Sequence, residues 1–109
     1  MKPVTFLGGS RADLRAFPDD ARREAGVQLD RLQRGLDPND WKPMASLGTG
    51  VREIRVREAS GAFRVIYIAC RDEAVYVLHA FVKKSQATLK RDLDLATARL
   101  RELSRSDRR

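Results

Sequence analysis

The chain has 109 residues and a formal net charge of +7, from 22 lysines and arginines against 15 aspartates and glutamates. This length fits one domain of residues 1–109, and 42% hydrophobic residues exclude disorder throughout. The single cysteine excludes an intramolecular disulfide, and no apolar run approaches the roughly 18 residues of a membrane-spanning helix. The first apolar run is also too short for a secretion signal, so we expect a cytoplasmic protein with no membrane partner.

The N-terminal part predicts a strand followed by two antiparallel helices. Residues 4–7 form a short β-prone run that ends at two glycines. Ser10 is predicted to cap a short helix that stops before Pro18, because the residue before a proline disfavours helical dihedral angles. From Ala21 to residue 36, apolar residues recur every three or four positions, which predicts a second helix.

After a predicted loop over residues 37–50, residues 51–58 alternate with a period of two, and two apolar runs bounded by turn residues follow; both patterns are typical of strands. The predicted strands are residues 51–58, 63–69 and 74–82. Residues 89–103 repeat leucine and alanine at helical spacing, and residues 104–109 are expected to be a polar tail. The fold class is therefore α+β: a small antiparallel sheet, made of the N-terminal strand and a three-strand meander, with two N-terminal helices and one C-terminal helix.

The positive charge is concentrated in the second part of the chain. Residues 1–40 carry seven basic and seven acidic side chains, whereas residues 41–109 carry 15 basic and eight acidic ones, so 0 plus +7 accounts for the whole excess. Such a surface favours a polyanion, because lysine and arginine at phosphates release condensed counterions. The alternative is a surface whose charges are simply solvated.

Alternation also predicts which side chains share a face of the sheet. The side chains expected on one side of the last strand are Val75, Val77, His79, Phe81 and Lys83. Arg64 interrupts an otherwise apolar central strand, and strand pairing is expected to bring it close to cations of the neighbouring strands. The converging set is Arg55, Arg57, Arg64, His79 and Lys83. The alternative is a face whose cations pair with Glu53 and Glu58, with a structural histidine.

This set suits the cleavage of RNA, which carries its own nucleophile in the 2′-hydroxyl group. The reaction needs a base, cations that hold the pentavalent phosphate, and an acid for the leaving oxygen, so we expect no metal and no other cofactor. Arg64 suits stabilisation of the transition state, and Phe81 suits stacking on a base. His79, Lys83 and Lys84 are alternative proton-transfer groups. The sequence has no zinc ligand set, Walker loop or dinucleotide fingerprint.

Three segments carry a resemblance to a known family. They are GVREIR at residues 50–55, FRVIY at residues 63–67 and LHAFVKKSQ at residues 78–86. In this order and spacing they resemble the RelE/ParE toxin superfamily, and more narrowly its phage-derived HigB-like branch. Members of that branch share an ELR strand, a YRV-x-Y strand, an LH-x-F-x-KK strand end and a terminal helix.

The resemblance implies a type II toxin that cleaves mRNA on the translating ribosome without a metal, and that a cognate antitoxin with a helix-turn-helix DNA-binding part neutralises. The catalytic candidates are Arg64, Lys83, Lys84 and His79, and the RNA-binding candidates are Arg55, Arg57 and Phe81. Many relatives end with a tyrosine or histidine that transfers protons, whereas residues 87–109 contain neither. The proton-transfer group therefore stays open.

Two alternatives follow from the same residues. In the ParE branch the fold inhibits DNA gyrase and is not a nuclease, so the cations of this chain would form a docking surface. In a non-catalytic module that binds nucleic acid or protein, the basic face would persist without turnover. From the sequence alone, Arg64→Ala is expected to leave the fold nearly intact while removing transition-state stabilisation.

Overall fold

The computed structural model describes residues 1–69 and 71–107 of the chain. The only cysteine, Cys70, and the last two residues lie outside the described residues. The elements are β1 (Val4–Phe6), α1 (Ser10–Arg15), α2 (Asp19–Gln33), β2 (Trp41–Pro43), β3 (Val51–Glu58), β4 (Gly61–Ile68), β5 (Val75–Val82) and α3 (Lys90–Asp107). The α+β class and the order of the predicted elements are confirmed. Because α3 extends through Asp107, part of the predicted polar tail is helical.

The sheet differs from the prediction in having five strands, in the order β1-β5-β4-β3-β2, and in being mixed rather than antiparallel. β1 pairs in parallel with β5, with Val4 opposite Val75. The direction of β1 was not readable from its own residues, because its partner strand lies far along the chain. β2 lies within the segment predicted to be a loop, and its three residues are too few for alternation to reveal a strand.

The sheet is covered on both faces, and the central strand β4 contributes to both layers. Ile54, Val65 and Tyr67 pack in the cluster that contains residues of α1 and α2. Ile66 and Ile68 point the other way, into a cluster with residues of α3. This double burial explains why β4 is apolar on both faces.

A β-bulge in β5 changes the predicted assignment of side chains to faces. Ile66 lies opposite His79 while Tyr67 lies opposite Val77, so Leu78 is an extra residue in β5. Val77 therefore packs in the layer of α1 and α2, whereas Leu78 packs in the layer of α3. The prediction that Val75 and Val77 share a face with His79, Phe81 and Lys83 is wrong for this reason. The bulge puts His79 and Phe81 on the face that carries Arg64.

The start of α1 also differs from the prediction. Gly9 is the residue at the N-cap, and Ser10 is the first helical residue. The buried hydroxyl group of Ser10 donates a hydrogen bond to the carbonyl oxygen of Val77, at 3.1 Å. Ser10 therefore ties α1 to β5 instead of capping the helix.

Gly8 provides a prediction on stability, because its φ is +54° and Arg99 of α3 lies directly over it. A Cβ atom at Gly8 would stand 2.6 Å from Nε of Arg99. Gly8→Ala is therefore expected to lower the free energy of unfolding by about 1–3 kcal/mol, through backbone strain and displacement of Arg99. Gly9→Ala is the matched control, because φ at Gly9 is −86° and its Cβ would stand 3.5 Å from Arg99. Urea unfolding of both variants tests this, and equal losses would contradict it.

Candidate functional site

A cationic cleft lies on the α3 side of the sheet, beyond the part that α3 covers. We call it the basic cleft and define it by its lining residues, which are Arg55, Arg57, Ala62, Arg64, Lys83, Lys84, Ser85 and Gln86. Five of these eight residues are lysines or arginines, and none is acidic. The basic cleft is therefore a place where a polyanion is attracted by several charges at once.

The pairing of β3, β4 and β5 places these cations. Arg55 lies directly opposite Arg64, and Arg57 lies opposite Ala62 on the same pair of strands. Lys83 follows the end of β5, where its backbone N–H donates a hydrogen bond to the carbonyl oxygen of Ala62, at 2.9 Å. Side chains opposite one another in an antiparallel pair share a face of the sheet. The neighbouring strands β3, β4 and β5 therefore bring their cations together on one face.

Arg64 forms the floor of the basic cleft, and it is only 4% exposed. Its Nη1 donates a hydrogen bond to the carbonyl oxygen of Phe63, at 3.0 Å. Its Nε lies 3.3 Å from Oε1 of Glu53. These two contacts hold the guanidinium group from one side and leave N–H donors for a ligand, because arginine carries five of them.

Glu53 is fully buried beneath this floor, with an exposed fraction of 0%. Nζ of Lys42, on the edge strand β2, lies 3.8 Å from the same carboxylate oxygen that faces Arg64. No described residue donates a hydrogen bond of good geometry to either carboxylate oxygen. Pairing of the cations with Glu53 was one of the two expectations from the sequence, and the contact with Arg64 agrees with it, whereas the complete burial of Glu53 was not expected. An arginine within a strand that is apolar on both faces was the signal for a buried acid on the neighbouring strand.

Burial and charge shift two pKa values in the basic cleft. Burial lowers the pKa of the Arg64 guanidinium, and the carboxylate of Glu53 opposes this, so Arg64 keeps its charge. Burial also lowers the pKa of the Lys83 ammonium, and the nearby charge of Arg64 adds to the effect, while Glu53 again opposes it. Lys83 therefore releases its proton more readily than an ordinary surface lysine.

The structure does not bring His79 and Phe81 into the basic cleft. The two rings stack on each other, with centroids 5.2 Å apart and an interplanar angle of 17°, and both are buried beside α3. Nε2 of His79 lies 2.8 Å from a carboxylate oxygen of Asp92, and Nη1 of Arg99 lies 3.2 Å from Nδ1. When Arg99 donates to Nδ1, Nε2 carries the ring proton and donates it to Asp92. Both nitrogens of His79 are thus engaged by α3.

Of the seven candidate site residues, the structure brings together five in the basic cleft: Arg55, Arg57, Arg64, Lys83 and Lys84.

Within residues 1–69 and 71–107, no group of three histidine, cysteine or acidic side chains is arranged to hold a metal ion. Across the same part of the chain, no helix combines the length and the apolar character needed to cross a membrane.

The fold and the basic cleft define a small α+β protein whose mixed sheet presents clustered cations beside its C-terminal helix. Residues 12–101 match the model of the phage-derived Gp49-like proteins (DUF891), and the chain belongs to this family. The family is associated with toxins of toxin–antitoxin systems. The match includes every residue that lines the basic cleft. No curated protein matches the chain.

Proposed function

We propose that this Gp49-like protein is the toxin of a type II toxin–antitoxin module, of the HigB-like branch of the RelE superfamily. In this proposal it cleaves mRNA on the translating ribosome without a metal and stops growth until an antitoxin neutralises it. The observation that carries the proposal is the arrangement at Arg64, which is buried on one side, faces the basic cleft on the other, and is surrounded by four further cations.

The proposed reaction uses the 2′-hydroxyl oxygen of the RNA as nucleophile. A bond forms between this oxygen and the adjacent phosphorus, and the bond from phosphorus to the 5′-oxygen of the next nucleotide breaks. Lys83 in its neutral form accepts the proton of the 2′-hydroxyl group, which its lowered pKa favours. Lys84, which is exposed, donates a proton to the leaving 5′-oxygen. Protons and bonds therefore balance without a further reactant.

Arg64 stabilises the charge that develops on the non-bridging phosphate oxygens in the transition state. Its planar guanidinium group matches the spacing of two phosphate oxygens, which a lysine does not. Arg55 and Arg57 continue the row of cations along β3 and hold the phosphates of flanking nucleotides. His79 and Phe81 have a supporting role here, because their rings stack on each other and His79 links β5 to α3.

The same charge distribution suits the proposed antitoxin. A segment with acidic side chains complements the basic cleft and would occupy the place of the RNA phosphates. The antitoxin and the RNA would then compete for the same cations of the basic cleft. We propose that the antitoxin also carries a helix-turn-helix DNA-binding part.

The test is induced expression in bacteria, with growth and the 5′ ends of cellular mRNA followed together. The control is Lys83→Met/Lys84→Met, which changes side chains at the rim of the basic cleft and spares the buried Arg64. Growth arrest with new mRNA ends that disappear in the variant is the expected result. Arrest without new ends and with reduced DNA supercoiling would replace the proposal with gyrase inhibition. The absence of arrest would replace it with a non-catalytic binding module.

RNA binding should depend on salt in proportion to the phosphates that the basic cleft contacts. Arg57→Ala is expected to reduce the slope of log affinity against log salt by about 0.7, because one phosphate contact to a single strand is lost. A single-stranded RNA with 2′-deoxy substitutions measures binding without cleavage. Arg23→Ala removes an exposed arginine of α2, outside the basic cleft, and serves as control. An equal change in both variants would show that the effect comes from net charge alone.

A further inference from the structure

Glu53 is a buried ionisable group for which the proposed reaction has no step. It is fully buried in the middle of β3, in a sheet region surrounded by cations. The groups that face its carboxylate are Arg64 on β4, with Nε at 3.3 Å, and Lys42 on β2, with Nζ at 3.8 Å. A carboxylate removed from water at this depth is costly unless opposite charges compensate for it.

The carboxylate cannot contact RNA in the basic cleft, because Glu53 is fully buried and is not among the residues that line the cleft. It also lacks well-formed hydrogen bonds from the described residues, so its interaction with the cations is mainly electrostatic. Any effect of Glu53 on chemistry must therefore pass through its neighbours.

We propose that Glu53 is a positioning residue, which fixes the orientation of Arg64 from below and sets the charge balance around Lys83. This inference rests on the proposed function for its catalytic consequence but not for its electrostatic one. Nε of Arg64 faces Glu53, so the guanidinium group presents its other N–H donors to the basic cleft. Without that carboxylate, Arg64 would lose the contact that determines which edge it offers to a phosphate.

The same carboxylate acts on Lys83. The charges that lower the pKa of this lysine, in addition to its burial, are Arg64, Lys42 and Arg55, and the charge that raises it is Glu53. Removing the negative charge of Glu53 leaves the three cations unopposed, so the pKa of Lys83 must fall further. A base is active when it is neutral, so the rising limb of the rate against pH would move to lower pH.

The experiment compares Glu53→Gln with Glu58→Gln, which changes the same functional group at the end of the same strand. Titration of the lysine side-chain ¹³Cε signals by NMR reports the pKa of Lys83 directly, and Lys83→Arg assigns its signal. We expect Glu53→Gln to lower this pKa and Glu58→Gln to leave it unchanged. An unchanged pKa in folded Glu53→Gln would overturn the inference, whether or not the protein is a nuclease.

The catalytic part is measured by cleavage of mRNA on ribosomes across a range of pH. Glu53→Gln is expected to shift the rising limb to lower pH and to reduce the maximal kcat roughly tenfold with little change in KM, as is typical for the loss of a supporting contact. If the rising limb of the pH–rate profile and kcat are both unchanged in Glu53→Gln, the inference is overturned. Absence of cleavage by the unsubstituted protein, together with a shifted Lys83 pKa, would instead overturn the proposed function and retain the electrostatic role of Glu53.

Glu53→Asp provides a second variant in case Glu53→Gln does not fold. It keeps the negative charge but withdraws the carboxylate from Arg64 by one methylene group. The pKa of Lys83 is then expected to stay closer to that of the unsubstituted protein, while kcat falls because Arg64 is less well held. An unchanged kcat in Glu53→Asp would contradict the positioning of Arg64 by Glu53.

Discussion

Replacing Arg64 with alanine is expected to reduce cleavage of ribosome-bound mRNA about 100- to 1,000-fold, the usual effect of removing one donor that stabilises transition-state charge. It is also expected to lower the free energy of unfolding by about 3–5 kcal/mol, because Glu53 would remain buried without its main compensating charge. The sequence predicted that Arg64→Ala would leave the fold nearly intact. The burial of Arg64 and its pairing with Glu53 contradict that expectation.

The double variant Arg64→Ala/Glu53→Gln separates the two effects. It removes both charges, so it should recover much of the stability lost by the single variant, as measured by urea unfolding. Cleavage should stay as low as in the single variant, because the phosphate-binding group is still missing. Recovery of cleavage with stability would show that Arg64 is structural only.

Ile66→Ala should have the largest effect on stability without changing a group of the basic cleft. Ile66 is fully buried in the central strand and packs in the cluster that includes Leu78 and Ala96. Truncation leaves a cavity between the sheet and α3, at a cost of about 2–5 kcal/mol. Leu95→Ala is the control, because Leu95 lies on α3 but is 43% exposed, and it should cost less than about 0.5 kcal/mol.

Thermal or urea unfolding measures the free energy of unfolding of Ile66→Ala and Leu95→Ala. Any loss of activity in Ile66→Ala should follow the fraction of folded protein and recover at lower temperature or denaturant concentration. A stability close to that of Leu95→Ala would contradict the packing of α3 on this face of the sheet. The two variants compare the loss of a fully buried apolar side chain with the loss of a half-exposed one.

The period-two pattern of β3 and the apolar runs of β4 and β5 were sufficient to predict the three-strand meander and the meeting of Arg55, Arg57, Arg64 and Lys83. Arg55 and Arg64 meet because both lie in strands long enough for alternation to fix their faces. β1 and β2 have three residues each, too few for such a pattern, so the sequence did not reveal the direction of one or the existence of the other.

The positions of His79 and Phe81 depended on tertiary structure. The bulge at Leu78, which no local signal in this apolar strand reveals, separates the face of Val75 and Val77 from that of His79 and Phe81. The contacts of His79 with Asp92 and Arg99 depend on the docking of α3, which sequence spacing does not determine. The burial of Glu53 was not predicted, because a glutamate in an alternating strand is usually on the solvated face.

The two short edge strands have a consequence for the behaviour of the protein at high concentration. The long apolar strands β4 and β5 are both interior, and the edges of the sheet are β1 and β2. β2 contains Pro43, which has no N–H group to offer to another strand, and Lys42, whose charge opposes the approach of a second copy. The edges of the sheet therefore offer few backbone groups with which a second copy could pair. The apolar strands β4 and β5 are protected from aggregation as long as the protein stays folded.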